Sequence, residues 1–338
     1  MRKLAALSAA LLVSACGQKV APADIRDAMP AADVVKIDAP NPGATAVAAA
    51  PAGVVGRAAA GVALAAPAKA PLAVTSYVFA TTVNAGVFWA LAPIAFLTNL
   101  VPPTGCTDTA CTWGPGSKAE ELNDWMLVVT KAGDAYDYAL SGAPKSPAGS
   151  PFVAVISGRA YPGPAPHRGH GSFLVDFDQA WAGLAHPAGE VQQDFGTISV
   201  SYDARAAVKV DVVFQDARNG ENPGDPAAPN KVSAAYAFLA SATGGDLQIG
   251  FHHQAPYYDN GNGNAYKDES VTLRTQWNQA GEGRADVRYL TVGFDAGFNQ
   301  CWDGAPDFAM TFNGDPAAPF GTIGACKLAA APITITVP

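Results

Sequence analysis

Val208-Lys209-Val210-Asp211-Val212-Val213-Phe214-Gln215 alternates apolar with charged or polar side chains. A period of two puts one set of side chains on each face of an extended strand. The same alternation runs through Ile198, Val200 and Tyr202 against Ser199, Ser201 and Asp203. It returns at Leu247, Ile249 and Phe251, and at Ala285, Val287 and Tyr289 against Arg284, Asp286 and Arg288. One buried and one wet face is the signature of antiparallel sheets. From Trp125 onward the pattern predicts about ten strands, near 125–131, 135–141, 152–158, 171–178, 195–203, 207–215, 231–240, 246–253, 270–278 and 283–290. A further strand is expected around 308–312.

The connections suggest how these strands are arranged. Ala132-Gly133-Asp134, Thr243-Gly244-Gly245 and Gly281-Glu282 are short enough for hairpins. In an up-and-down meander, parity then gathers the long connections two-to-three, four-to-five, six-to-seven and eight-to-nine at one end. The fold class is mainly β: an antiparallel meander forming a barrel or half-barrel, because closure or curling protects sheet edges. This layout is similar to that of lipocalins, or of the half-barrel carriers that move lipoproteins across the periplasm. The likeness is of layout only, without a motif of either family.

Ahead of the strands, Asn84 to Val101 places Val87, Phe88, Trp89, Leu91, Ile94, Phe96, Leu97 and Leu100 at helical spacing, with Pro93 inside and Pro102-Pro103 at the end. This is the one N-terminal apolar helix, expected to be a core element kinked at Pro93. Tyr77-Val78-Phe79 reads as extended, and the domain starts near Val74. Residues 17 to about 70 are dominated by Ala, Pro, Gly and Val with almost no aromatics. They read as a tether that lets the domain stand off, a docked helix around 54–66 being the alternative. Pro51, Arg57, Pro67 and Lys69 break the apolar run, which excludes a membrane span there.

The first residues carry Arg2 and Lys3, then an apolar run, then small residues, as secretory signals do. Val13-Ser14-Ala15-Cys16 resembles the lipobox of bacterial lipoproteins. That resemblance implies a signal peptide over 1–15, lipidation of Cys16 with acyl chains such as palmitate, and a tether over 16–70 leading to a single β domain over 71–338. Gly17-Gln18 lack the Asp of enteric inner-membrane retention, so the implied location is the outer membrane of a bacterial envelope. The mature domain also resembles a group of bacterial lipoproteins of unknown function. The residues carrying this are Trp113-Gly114-Pro115, Gln276-Trp277 before Gly281-Glu282-Gly283-Arg284-Ala285-Asp286-Val287, and Cys301-Trp302-Asp303 leading to Gly314-Asp315-Pro316-Ala317-Ala318. That group implies no activity.

The remaining cysteines, Cys106, Cys111, Cys301 and Cys326, suit an oxidising compartment. Proximity in sequence favours the disulfides Cys106–Cys111 and Cys301–Cys326, the rival being a cross-link between the domain's two ends. Their spacing is not that of a zinc site. The net charge is −8, with no basic cluster, which argues against nucleic acid and against electrostatic docking on anionic lipid.

No G-x-S-x-G, S-x-x-K, H-E-x-x-H, P-loop or G-x-G-x-x-G is present. No catalytic residue, metal ligand or cofactor is therefore nominated. Asp176 and Asp178 read as a solvated strand face. His167 with His170, and His186 with His253, are too few for a metal site. Asp259 to Asn264 fails the register of a calcium loop, and it reads as a turn, as does Asp216 to Asp225. Trp181, His186, His253, Tyr257 and Tyr258 are the candidate contacts at the elaborated mouth, Tyr257 and Tyr258 in the long eight-to-nine loop.

Three readings follow. One is a non-enzymatic module binding an apolar ligand or lipid. The second is a surface interaction protein with a filled barrel and no ligand. The third is a hydrolase with a non-standard site. The first two are told apart by whether the 84–101 block fills the interior. The membrane is the partner through the anchor; no protein partner is indicated.

Overall fold

The structure is a computed structural model, and it describes residues 20–41, 69–192, 194–218, 231–258, 264–291, 293–304 and 308–338. The signal segment, Cys16, the 54–66 alternative and the Asp259 turn lie outside these residues.

The sheet contains fifteen antiparallel strands in sequence order, each bonded to the next. They are β1 Gly105–Cys106, β2 Ala110–Gly116, β3 Asn123–Ala132, β4 Ala135–Pro144, β5 Val153–Tyr161, β6 His170–Asp176, β7 Thr197–Asp203, β8 Lys209–Arg218, β9 Lys231–Ser241, β10 Gly244–Tyr258, β11 Asn264–Asn278, β12 Gly283–Thr291, β13 Phe294–Trp302, β14 Met310–Asn313 and β15 Phe320–Gly321. β1 and β15 do not pair, so the sheet is open. The ten expected strands are β3 to β12, and 308–312 overlaps β14.

The count of about ten is corrected by β1, β2, β13 and β15. β2 escapes notice because Gly114-Pro115 interrupts it and shifts its register against β3. β13 escapes because Gln300, a polar residue, occupies the buried face between Phe298 and Trp302. The eight-to-nine loop is also shorter than expected. β10 and β11 continue past Phe251 as a ladder that pairs Tyr257 with Ala265 and Tyr258 with Asn264. Tyr257 and Tyr258 are thus strand residues.

Among the described residues, three α-helices accompany the sheet: α1 Pro22–Ala28, α2 Pro71–Leu100 and α3 Phe177–Gly183. α2 begins thirteen residues before Asn84 and takes in Tyr77-Val78-Phe79, contrary to the extended reading. Burial overrides the local strand preference of Val and Thr there. Leu72, Ser76, Ala80, Val83, Val87, Leu91, Ile94 and Thr98 form its buried stripe, at spacings of three and four. Against it lie inner-face side chains of the sheet, including Leu127, Val129, Phe173, Val200, Val212, Leu247, Ile249 and Leu273. Full burial of each large aliphatic side chain contributes about 1.5–3 kcal/mol.

α2 joins the two margins of the open sheet. At its start, the Ala70 N–H donates to the Phe308 carbonyl (3.0 Å) and the Leu72 N–H donates to Gln300 Oε1 (3.0 Å). One turn on, the Ser76 and Thr275 hydroxyls meet at 2.6 Å. At its end, Trp113 Nε1 on β2 donates to the Val101 carbonyl (2.9 Å).

The tether reading is corrected over 20–41. Ile25, Ala28, Met29, Val35 and Ile37 are buried in the same core. Asn84 clamps Ile37 from both sides, accepting its N–H (2.7 Å) and donating to its carbonyl (2.8 Å). Aliphatic residues spaced along a Pro-rich stretch suffice to dock it once a groove exists. Low aromatic content gave no sign of that.

Five cross-strand pairs set an aromatic ring over a glycine on the inner face: Trp125 with Gly142, Tyr138 with Gly158, Tyr202 with Gly171, Trp277 with Gly245, and Trp302 with Gly283. A Cβ on Gly283 would lie 2.2 Å from Trp302 Cζ2, and one on Gly245 2.3 Å from Trp277 Cζ2. Glycine on the inner face relieves crowding where a sheet bends, and the ring covers the exposed backbone.

Gln300 acts as a cap for α2 supplied from β13, and its Nε2 donates in turn to Asn313 Oδ1 (3.2 Å). Gln300→Leu keeps the volume and orphans the Leu72 N–H. The expected loss is about 1–3 kcal/mol, read as a lower urea midpoint at unchanged slope. An unchanged midpoint would mean that this seam does not hold the helix.

Candidate functional site

Of the residues expected at the mouth, Trp181 and His186 are engaged with each other. Asp176 ends β6 and is also the N-cap of α3, accepting from the Gln179 N–H (2.8 Å), and Asp178 lies in the first turn of the helix, so the two do not share a strand face. Asp176-x-x-Gln179 is a capping-box spacing that could have revealed α3. The rings of Trp181 and His186 stack at 3.8 Å, and His186 Nε2 sits 2.9 Å from the Trp181 carbonyl. Asn123 bonds the backbone of Ala185 in both directions. Trp181 and His186 therefore anchor this loop. His253, Tyr257 and Tyr258 share β10, where the backbone alone is described.

The other histidines are dispersed. His167 Nδ1 is 2.9 Å from the Met29 carbonyl, His170 stacks on Tyr161 at 4.4 Å, and His252 lies 3.8 Å from Asp268. Among the described residues, no cluster of three or more His, Cys, Asp or Glu is placed to hold a metal. The disulfides are Cys106–Cys111 and Cys301–Cys326, the pairing that sequence proximity favours.

On the outer face, charges are paired across or along strands. Arg159 forks onto Asp137 (2.5 and 2.7 Å) and Arg288 onto Asp295 (3.0 and 2.7 Å). The hydrogen bonds from the guanidinium hold the Asp137 and Asp295 carboxyls below the usual range. Asp203 is pulled down to about 2 by the Arg205 side chain and backbone N–H. Such exposed pairs contribute little stability. Inside, burial pushes the Tyr138 and Tyr202 hydroxyls upward. They are core phenols, poorly suited to proton transfer near neutral pH.

The outward side of α2 is unlike the rest of the surface. Phe88, Trp89, Phe96 and Leu100 are 55%, 75%, 55% and 73% exposed. At 100° per residue they fall within an arc of about 120°, opposite the buried stripe. Phe88 and Trp89 meet edge-on at 6.4 Å. From Ala70 to Thr107 there is no Asp, Glu, Lys or Arg. The helix is long and apolar enough to cross a membrane by length and composition, yet its buried stripe and terminal hydrogen bonds seat it on the sheet. A uniformly apolar sequence conceals this division, because the inner and outer sides have similar composition. Single exposed apolar residues are ordinary, whereas a clustered aromatic face marks an interaction surface.

Comparison with protein-family models, curated proteins and solved structures finds no match for this chain.

Proposed function

We propose that the chain is a lipid-anchored protein of the bacterial envelope, without a catalytic role, that works by surface contact. The observation carrying this reading is that α2 and the 20–41 segment occupy the inner face of the sheet, where an apolar ligand would otherwise sit. The five aromatic–glycine pairs and the helix joining both sheet margins support a half-barrel curled around α2. Cys16 carries the acyl chains, and the lipobox and charged apolar leader support that assignment. The outer membrane is the favoured location.

The reading is tested by native mass spectrometry on the whole mature chain after export to the periplasm. The expected species carries acyl mass on Cys16, is four hydrogens lighter than the reduced chain because of its two disulfides, and holds nothing else. A stoichiometric co-purifying lipid would overturn the filled half-barrel and restore the ligand carrier.

A further inference from the structure

Resting on the lipid-anchored reading, we infer that the outward face of α2 is a membrane-docking surface, seated in the bilayer interface beside the anchor. Chain geometry supplies the occupant. Val20 is buried, and its carbonyl lies 3.8 Å from Cys111 Sγ on β2. The neighbouring β2 residue Trp113 holds the end of α2 through Val101. Three residues, Gly17, Gln18 and Lys19, lie between Cys16 and Val20, so four Cα-to-Cα steps link them. Fully extended, they reach at most about 14 Å. The acyl chains therefore enter the bilayer close to the C-terminal half of α2, where Phe88, Trp89, Phe96 and Leu100 project. Most of the Ala- and Pro-rich stretch follows the docked 20–41 segment, so it does not space the domain from the membrane.

The chemistry of the face agrees. A helix lying in the interface buries its apolar side about 5–10 Å into the boundary between headgroups and acyl chains. Ionised groups oppose that burial strongly, and α2 has none. Aromatic rings favour the interface. Once the anchor is inserted, docking is intramolecular, so a modest apolar area suffices. The chain is acidic overall, so this contact depends on apolar and aromatic burial and not on anionic lipid.

The test uses the full lipidated chain in vesicles of phosphatidylethanolamine and phosphatidylglycerol, with bromine near the headgroup end or near the tail end of the acyl chains. Tryptophan emission is compared between the parent and Trp89→Phe. This substitution at a three-quarters exposed ring is expected to leave the urea midpoint unchanged. The difference signal, which belongs to Trp89, is expected to be blue-shifted. It should be lost with bromine near the headgroups, largely kept with bromine at the tail ends, and insensitive to added salt. Intact mass of the same sample reports the acyl group. Acyl mass without a quenched Trp89 signal overturns the docking face and leaves the anchor standing. Absence of acyl mass overturns both.

Discussion

Leu91→Ala is expected to lower stability by about 2–5 kcal/mol, whereas Trp89→Ala, two positions away on the same helix, changes it by less than about 0.5 kcal/mol in detergent-free solution. Leu91 is 1% exposed in the centre of the buried stripe, and its truncation opens a cavity between α2 and the sheet. Neighbouring Val87 and Ile94 belong to the same stripe and are held from both ends of the helix, so collapse into the gap is restricted. Trp89 is three-quarters exposed, and its ring touches Phe88 rather than the sheet. Urea unfolding of both variants checks the pair. Equal losses would mean that the outward face is covered within the molecule, which would remove the basis for membrane docking.

Trp302→Ala is expected to cost about 3–5 kcal/mol. The ring is 2% exposed, its Nε1–H donates to the Gly281 carbonyl at 3.1 Å, and it lies flat over Gly283 on the next strand. Its removal leaves a large cavity and uncovers the backbone that the ring protects. A companion measurement isolates the pairing. Gly283→Ala alone is destabilising, because its Cβ would stand 2.2 Å from Trp302 Cζ2. In the Trp302→Ala background that clash disappears, so the double mutant should be more stable than the sum of the single losses by about 1–3 kcal/mol. Additive losses would show that the ring and the glycine act independently. The disulfide from Cys301 to Cys326 gives an internal control, since neither substitution removes it.

The sheet was legible from residue order because alternation is a local property. Val208 to Gln215 carries its own face assignment, and so do the segments that became β7, β10 and β12. Both disulfides followed from spacing, since closing a short loop is favoured over closing a long one. What stayed hidden depended on partners distant in sequence. Gln300 reads as a break in β13, until the Leu72 N–H arrives from the other end of the chain to satisfy it. Trp277 and Gly245 are unremarkable apart; register alone sets the ring over the glycine. The 20–41 segment lacks the residues to make a core, but Ile25, Val35 and Ile37 fill one that the sheet and α2 have already made.

The candidate face divides the same way. Sequence alone established that α2 is apolar and uncharged along its length. Only the tertiary structure decided which side of it the sheet covers, because burial is a relation between a side chain and its neighbours rather than a property of the side chain.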